Sequence, residues 1–198
     1  MQILTFPNDR EYVKAQRRAD ESKSKRTSFT QNEINRIREE LLHCDTGIFA
    51  KNPCMIDGIC HGCRNGQEVD SLNLENQMDC CGTDLFPREY PFIVEWDFRQ
   101  ENPEWVNRFD FVYSNSLDHS DEPEKTLEVW SNQLRGDGVL LLQWSTSHRN
   151  VEGADCFGAS LDEYMILVSK SFNIRDLLWI DDDCCKVIII ASKRKKHE

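Results

Sequence analysis

Apolar residues fall in short runs along the chain, separated by polar turns, and the runs switch between strand and helix periodicity. Cys54 to Cys60, Met78 to Asp84, Pro91 to Trp96 and Phe109 to Tyr113 read as strands. Val139 to Trp144 is a further strand, continuously apolar as strands buried on both faces are. Gln67 to Leu74, Pro123 to Leu134 and Leu161 to Ser171 have helical spacing, and Phe172 to Trp179 and Lys186 to Ala191 read as two closing strands. Strands alternating with helices predict a Rossmann-like α/β fold: a mostly parallel seven-stranded sheet with helices on both faces.

The first 43 residues have a different texture. Glu11 to Lys25 is polar and helical in composition, with almost no apolar face. Thr30 and Glu33 have capping-box spacing, and Ile34, Ile37, Leu41 and Leu42 come after them at helical intervals, so a helix is expected from near Gln31 to His43. The expected organisation is an N-terminal helical extension over 1–50, either packing on the body or covering a pocket, a main domain over 51–192, and a basic tail over 193–198.

Composition narrows the function classes. The 198 residues carry a net charge of −11, and the acid is concentrated in the body: residues 1–43 have nine Lys/Arg against seven Asp/Glu, the remainder fifteen against twenty-eight. Such a body repels phosphate backbones, so no nucleic-acid partner is expected. No apolar run approaches the roughly 18–20 residues that span a bilayer, and no secretion signal is evident, so no membrane partner is expected either. Nine cysteines without a disulfide-like framework point to reduced thiols and a cytoplasmic location.

In an open α/β sheet ligands bind beyond the carboxyl ends of the strands, so the candidate chemistry lies in the segment after each strand. After the first come Cys60, His61, Gly62, Cys63, Arg64, Asn65 and Gly66, a glycine-bearing turn into a helix whose free N–H groups favour anions. After the second come Asp84 and Leu85, with Asp84 lying 22 residues past Gly62, a spacing suited to a carboxylate that binds ribose hydroxyls. After the third, Asp97 between Trp96 and Phe98 suits stacking on an adenine and acceptance from its amine. After the fourth comes the polar stretch Ser114, Asn115, Ser116, Leu117, Asp118 and His119, and Leu134 to Val139 is expected to make a tight turn into the fifth strand. His119 and His148 are the candidate proton acceptors, because an ordinary imidazole titrates near neutrality. Gly153 to Tyr164 is expected to form an acceptor pocket or lid, with Ser160 and Glu163 spaced as a capping box. Cys60-His61-Gly62-Cys63 has CxxC spacing, but adjacent pairs such as Cys80-Cys81 and Cys184-Cys185 are poor ligands for one tetrahedral ion, so no metal site is expected.

The order of these pieces resembles the class I S-adenosylmethionine-dependent methyltransferases, of the type 11-like kind, over roughly residues 53–192. Ile59 to Gly66 resembles their glycine-rich first motif, Asp84 and Asp97 their second- and third-strand acids, Phe109 to His119 their fourth motif, and Leu134 to Leu142 the turn before their fifth strand. The resemblance implies S-adenosyl-L-methionine as cofactor, bound by Cys60, His61, Gly62, Arg64, Gly66, Asp84, Leu85, Trp96, Asp97, Phe98, Ser114 and Asn115. It implies methyl transfer to a small-molecule acceptor; a non-catalytic methyltransferase-like binding protein and a nicotinamide-dependent Rossmann enzyme are the alternatives. The sequence departs from the pattern where Cys60 replaces an acid and Arg64 and Asp137 replace glycines. Arg64 is expected either to crowd the cofactor or to turn outward onto a carboxylate, and Asp57 is the nearest substitute for the missing acid.

Overall fold

The computed structural model describes residues 1–22, 30–43, 55–74, 78–87, 91–180 and 185–194. Of the positions read above, 23–25, 54, 184 and 195–198 lie outside the described residues, as does the side chain of Leu42.

The chain begins with a short strand β1 (Gln2–Ile3), then α1 (Asp9–Ser22) and α2 (Gln31–His43). The alternating body comes next: β2 (Ile56–His61), α3 (Gln67–Asn73), β3 (Met78–Asp84), β4 (Ile93–Glu95), β5 (Phe109–Ser114), α4 (Pro123–Gln133), β6 (Leu134–Trp144), β7 (Phe157–Gly158), α5 (Leu161–Ser171), β8 (Phe172–Ile180) and β9 (Lys186–Lys193). Seven strands form one sheet in the order β4-β3-β2-β5-β6-β9-β8, with only β9 antiparallel to its neighbours. β1 and β7 make a separate antiparallel pair that the sequence reading did not anticipate; each is two residues, too short for a periodicity to register.

Side-chain alternation divides the sheet into two cores. On one face Leu140, Leu142, Val187 and Ile189 pack under Leu127 and Trp130 of α4 and Leu167 and Val168 of α5. On the other, Val139, Leu141, Ile188 and Ile190 pack under Val69 and Leu72 of α3 and Ile34, Ile37 and Leu41 of α2. α2 is therefore a packing helix of the body, and α1, not α2, lies over the carboxyl ends of the strands. The helix starts form as their residues dictate: Thr30 and Glu33 exchange side-chain and backbone bonds of 3.2 and 2.6 Å, and Ser160 with Glu163 forms the second capping box. Gly58 is required by contact: a Cβ there would overlap the Phe111 ring on the neighbouring strand.

One expected turn takes another form. Leu134 to Val139 lies within β6, where Phe109 pairs with Leu134 but Phe111 pairs with Val139, so the extra residues of β6 bulge out of the ladder. Arg135 secures that bulge, bonding Asp110 at 2.6 Å and Asp57 at 2.7 Å. This places Asp57 at the amino end of β2, away from the ligand edge, so it does not substitute for the acid that Cys60 replaces.

Candidate functional site

The strand order reverses between β2 and β5, and at the carboxyl ends of those strands a cleft opens to solvent. The turn after β2 contributes Gly62 and Arg64, the end of β3 contributes Asp84, Leu85 and Phe86, and the loops beyond β4 and β5 contribute Phe98, Ser116 and His119. α1 forms the opposite wall with Tyr12, Gln16, Ala19 and Asp20.

The turn after β2 is built for close approach. Gly62 has φ of 71°, its N–H donates to the Thr83 carbonyl at 2.8 Å, and a Cβ there would stand 2.6 Å from the Ser116 side chain. The two backbone amides nearby converge on one carboxylate: Arg64 N–H donates to Asp84 Oδ2 and Phe86 N–H to Oδ1, both at 2.8 Å. Burial nonetheless raises the Asp84 carboxyl above its ordinary range, outweighing the two amides that favour its charge. An ionised carboxylate offers about four acceptor positions, so these two bonds leave Asp84 able to bind a ligand hydroxyl.

α1 is held over the cleft by ion pairs and carbonyl contacts. The Arg64 guanidinium binds the Asp20 carboxylate of α1, Nε to Oδ1 at 2.9 Å, and both residues of the pair line the cleft. Arg99, 1% exposed, holds Asp97 at 2.7 Å, Asp121 at 2.6 Å and Asp9 at 3.3 Å, and its guanidinium lies 3.4 Å from the Tyr12 ring centroid. Tyr12 Oη and Gln16 Nε2 both donate to the His119 carbonyl, at 3.0 and 3.3 Å, and Gln16 also donates to the Ala154 carbonyl at 2.8 Å.

Of the residues singled out in the sequence, Gly62, Arg64, Asp84, Leu85, Phe98 and His119 come together on the cleft wall. Asp97 and Trp96 lie in an adjoining depression that shares Leu85 and Phe86 with the cleft. Asp97 meets Arg99 with both carboxylate oxygens, and the Trp96 indole N–H donates to the Gln100 carbonyl at 3.1 Å while its ring packs edge-on against Trp105. Strand alternation removes Cys60 and His61 from the wall: Cys60 is buried under α2 and α3, and His61 points to the α4 face between Thr83 Oγ1 and Gln133 Oε1, each 2.8 Å away. Burial lowers the His61 imidazole to about 4, so it is neutral and structural. Gly66 starts α3 in a left-handed conformation. Ser114 Oγ donates to the His61 carbonyl and Asn115 Nδ2 to Glu68 Oε1, which makes them struts behind the wall while Ser116 occupies it. His148 is buried beside Asp118, its Nε2 3.8 Å from Oδ2, and is not part of the cleft wall. Burial raises the thiols of Cys60, Cys63, Cys80 and Cys81, which leaves them protonated and unreactive.

The α1 wall and the Arg99 anchor were not read from the sequence. A signal existed: Tyr12, Gln16, Ala19 and Asp20 recur at i, i+4, i+7 and i+8, one helical face that holds three of the six uncharged side chains of α1.

No family model and no curated protein sequence matches the chain. Solved structures do. The 1,6-didemethyltoxoflavin-N1-methyltransferase of Burkholderia thailandensis, with bound 1,6-didemethyltoxoflavin and S-adenosylhomocysteine, is 16% identical and superposes over 97% of this chain and 92% of its own at a TM-score of 0.70. A TehB-like SAM-dependent methyltransferase from Corynebacterium glutamicum is 16% identical over 94% of this chain and all of its own, at 0.60. The N-methyltransferase NodS from Bradyrhizobium japonicum, in complex with S-adenosylhomocysteine, is 13% identical over 93% and 98%, at 0.62.

Proposed function

With the class I methyltransferase fold as premise, we propose that the chain is an S-adenosylmethionine-dependent methyltransferase acting on a small-molecule acceptor. The observation that carries this is Asp84. A half-buried carboxylate, pinned by two backbone amides beside the Gly62 turn, lines a cleft at the switch point of the sheet with acceptor capacity to spare. Those residues fit an adenosyl group: Asp84 accepts from ribose hydroxyls, and Leu85, Phe86 and Phe98 supply apolar contact for the base. When bound, S-adenosylmethionine supplies a methyl group already activated on a sulfonium.

The protein's part is then to bind, orient and exclude water. α1, tied down by Arg64–Asp20 and by Arg99, closes one side of the cleft. Asp97 orients Arg99 and through it α1, and His119 lines the cleft for the acceptor. A general base is needed only for an acceptor that must lose a proton. The acidic body and a cleft already walled by α1 favour a small acceptor over a polymer. Among the described residues no helix is long and apolar enough to cross a membrane, and the free cysteines suit a reducing, cytoplasmic compartment.

Calorimetry with S-adenosylhomocysteine and with NADH tests the reading. S-adenosylhomocysteine is expected to bind one per chain and NADH not to bind. Asp84→Asn is expected to weaken S-adenosylhomocysteine at least about tenfold, the scale of a lost charge-assisted hydrogen bond, and to lower the melting temperature modestly while the chain still folds, because an amide accepts only one of the two backbone N–H bonds. Preference for NADH, or equal binding by the variant, counts against it.

A further inference from the structure

We propose that Asp118, His119 and Asp155 form a binding site for one divalent transition-metal ion at the edge of the cleft. Each offers one ligand atom, and these three atoms lie within 4.8 Å of one another. Two ligands on one ion at about 2.2 Å stand about 3.6 Å apart in a tetrahedral site and about 4.4 Å apart when trans, so the most distant pair needs to close by about 1 Å or less.

The independent sign of a missing ligand is Asp118 itself. Its side chain is 8% exposed, and Oδ1 has no hydrogen-bond partner among the described residues. His148 Nε2 is 3.8 Å from Oδ2, too far for a hydrogen bond, and His148 Nδ1 is buried and unpartnered as well. A buried carboxylate left unsatisfied is costly, and a bound cation is a group that removes the cost. Backbone geometry puts the three residues together. Asp118 and His119 share the 3-10 turn after β5, and Asp155 is brought over them by the Gln16 bond to the Ala154 carbonyl and by the Cys156 thiol, which donates to the His119 carbonyl.

The donor set selects the metal class. One imidazole with two carboxylates suits Mn²⁺, Fe²⁺ or Zn²⁺; Mg²⁺ and Ca²⁺ favour all-oxygen sites. Because His119 lines the cleft, an ion there reaches a bound molecule carrying adjacent oxygen donors. The site stands on its own ligand atoms and does not depend on the methyltransferase reading.

The test is a Mn²⁺ titration of the tag-free full chain after chelator treatment, monitored by electron paramagnetic resonance. One saturable Mn²⁺ per chain is expected, with Zn²⁺ displacing it and Mg²⁺ displacing it poorly. Asp118→Asn and Asp155→Asn are each expected to weaken binding at least about tenfold and to change the hyperfine pattern. Asp155 is part-exposed, so its variant carries the test if the buried substitution fails to fold. No saturable binding up to about 1 mM, or equal binding by both variants, overturns the proposal. S-adenosylhomocysteine binding on the same sample separates this outcome from the functional reading, since either can fail alone.

Discussion

Two buried ionisable residues near the cleft pull stability in opposite directions with pH. Glu68, at the first turn of α3, is 4% exposed, has an unpartnered Oε2, and is raised by burial to about 7. Its carboxyl is protonated in both folded and unfolded chains below about pH 4.5, and the folded state must accommodate the charge once the pH exceeds 7. Its contribution to stability is therefore fullest at low pH and is lost as the pH rises through that window. His61, lowered to about 4, does the reverse: it costs nothing above its ordinary value near 6.5 and costs progressively more as the pH falls toward 4. The wild-type profile mixes the two, so the clean measurement is a difference. Glu68→Gln is expected to gain on the wild type by up to about 3 kcal/mol in urea unfolding between pH 4.5 and pH 7, the size of a shift of two to three pKa units. A difference that stays flat across that range contradicts the assignment. Neither residue could be read this way in the sequence, because which face of β2 or α3 a side chain occupies depends on register.

At the scale of elements, the larger helices and most strands were legible because periodicity and caps state them locally. α2 and α5 start at their capping boxes, and β3 runs from Met78 to Asp84 as its apolar pattern and terminal acid indicate. What was not legible depends on partners distant in sequence. The β1–β7 pair joins residues some 155 positions apart, and Arg99 gathers carboxylates from α1, from its own loop and from the loop before α4. Arg99 is the anchor of α1, and its removal leaves Asp97 and Asp121 largely buried without a cation. Arg99→Ala is expected to lower stability by about 3–5 kcal/mol and to speed hydrogen exchange in α1 well before the sheet opens. Loss of stability without faster exchange in α1 means the cluster supports the body rather than the helix over the cleft.

The molecule as a whole places its cleft where the sheet order reverses, and α1 crosses the carboxyl ends of the strands there to form its opposite wall. Gly62, Asp84, Phe98 and His119 were identifiable as neighbours on the cleft wall because each ends a strand or lies in the loop beyond one, and the fold brings strand ends together. Asp97 shows the limit of that logic. Its position after β4 fits the pattern, yet its carboxylate is engaged by Arg99, a residue whose role only the tertiary structure displays. A structure of the protein with S-adenosylhomocysteine tests the central claim most directly. The account predicts the adenosyl group inside the cleft, its ribose hydroxyls within about 3 Å of the Asp84 carboxylate and its base against Leu85, Phe86 or Phe98. An adenosyl group bound elsewhere, or a cleft that stays free of it at saturating ligand, contradicts the account.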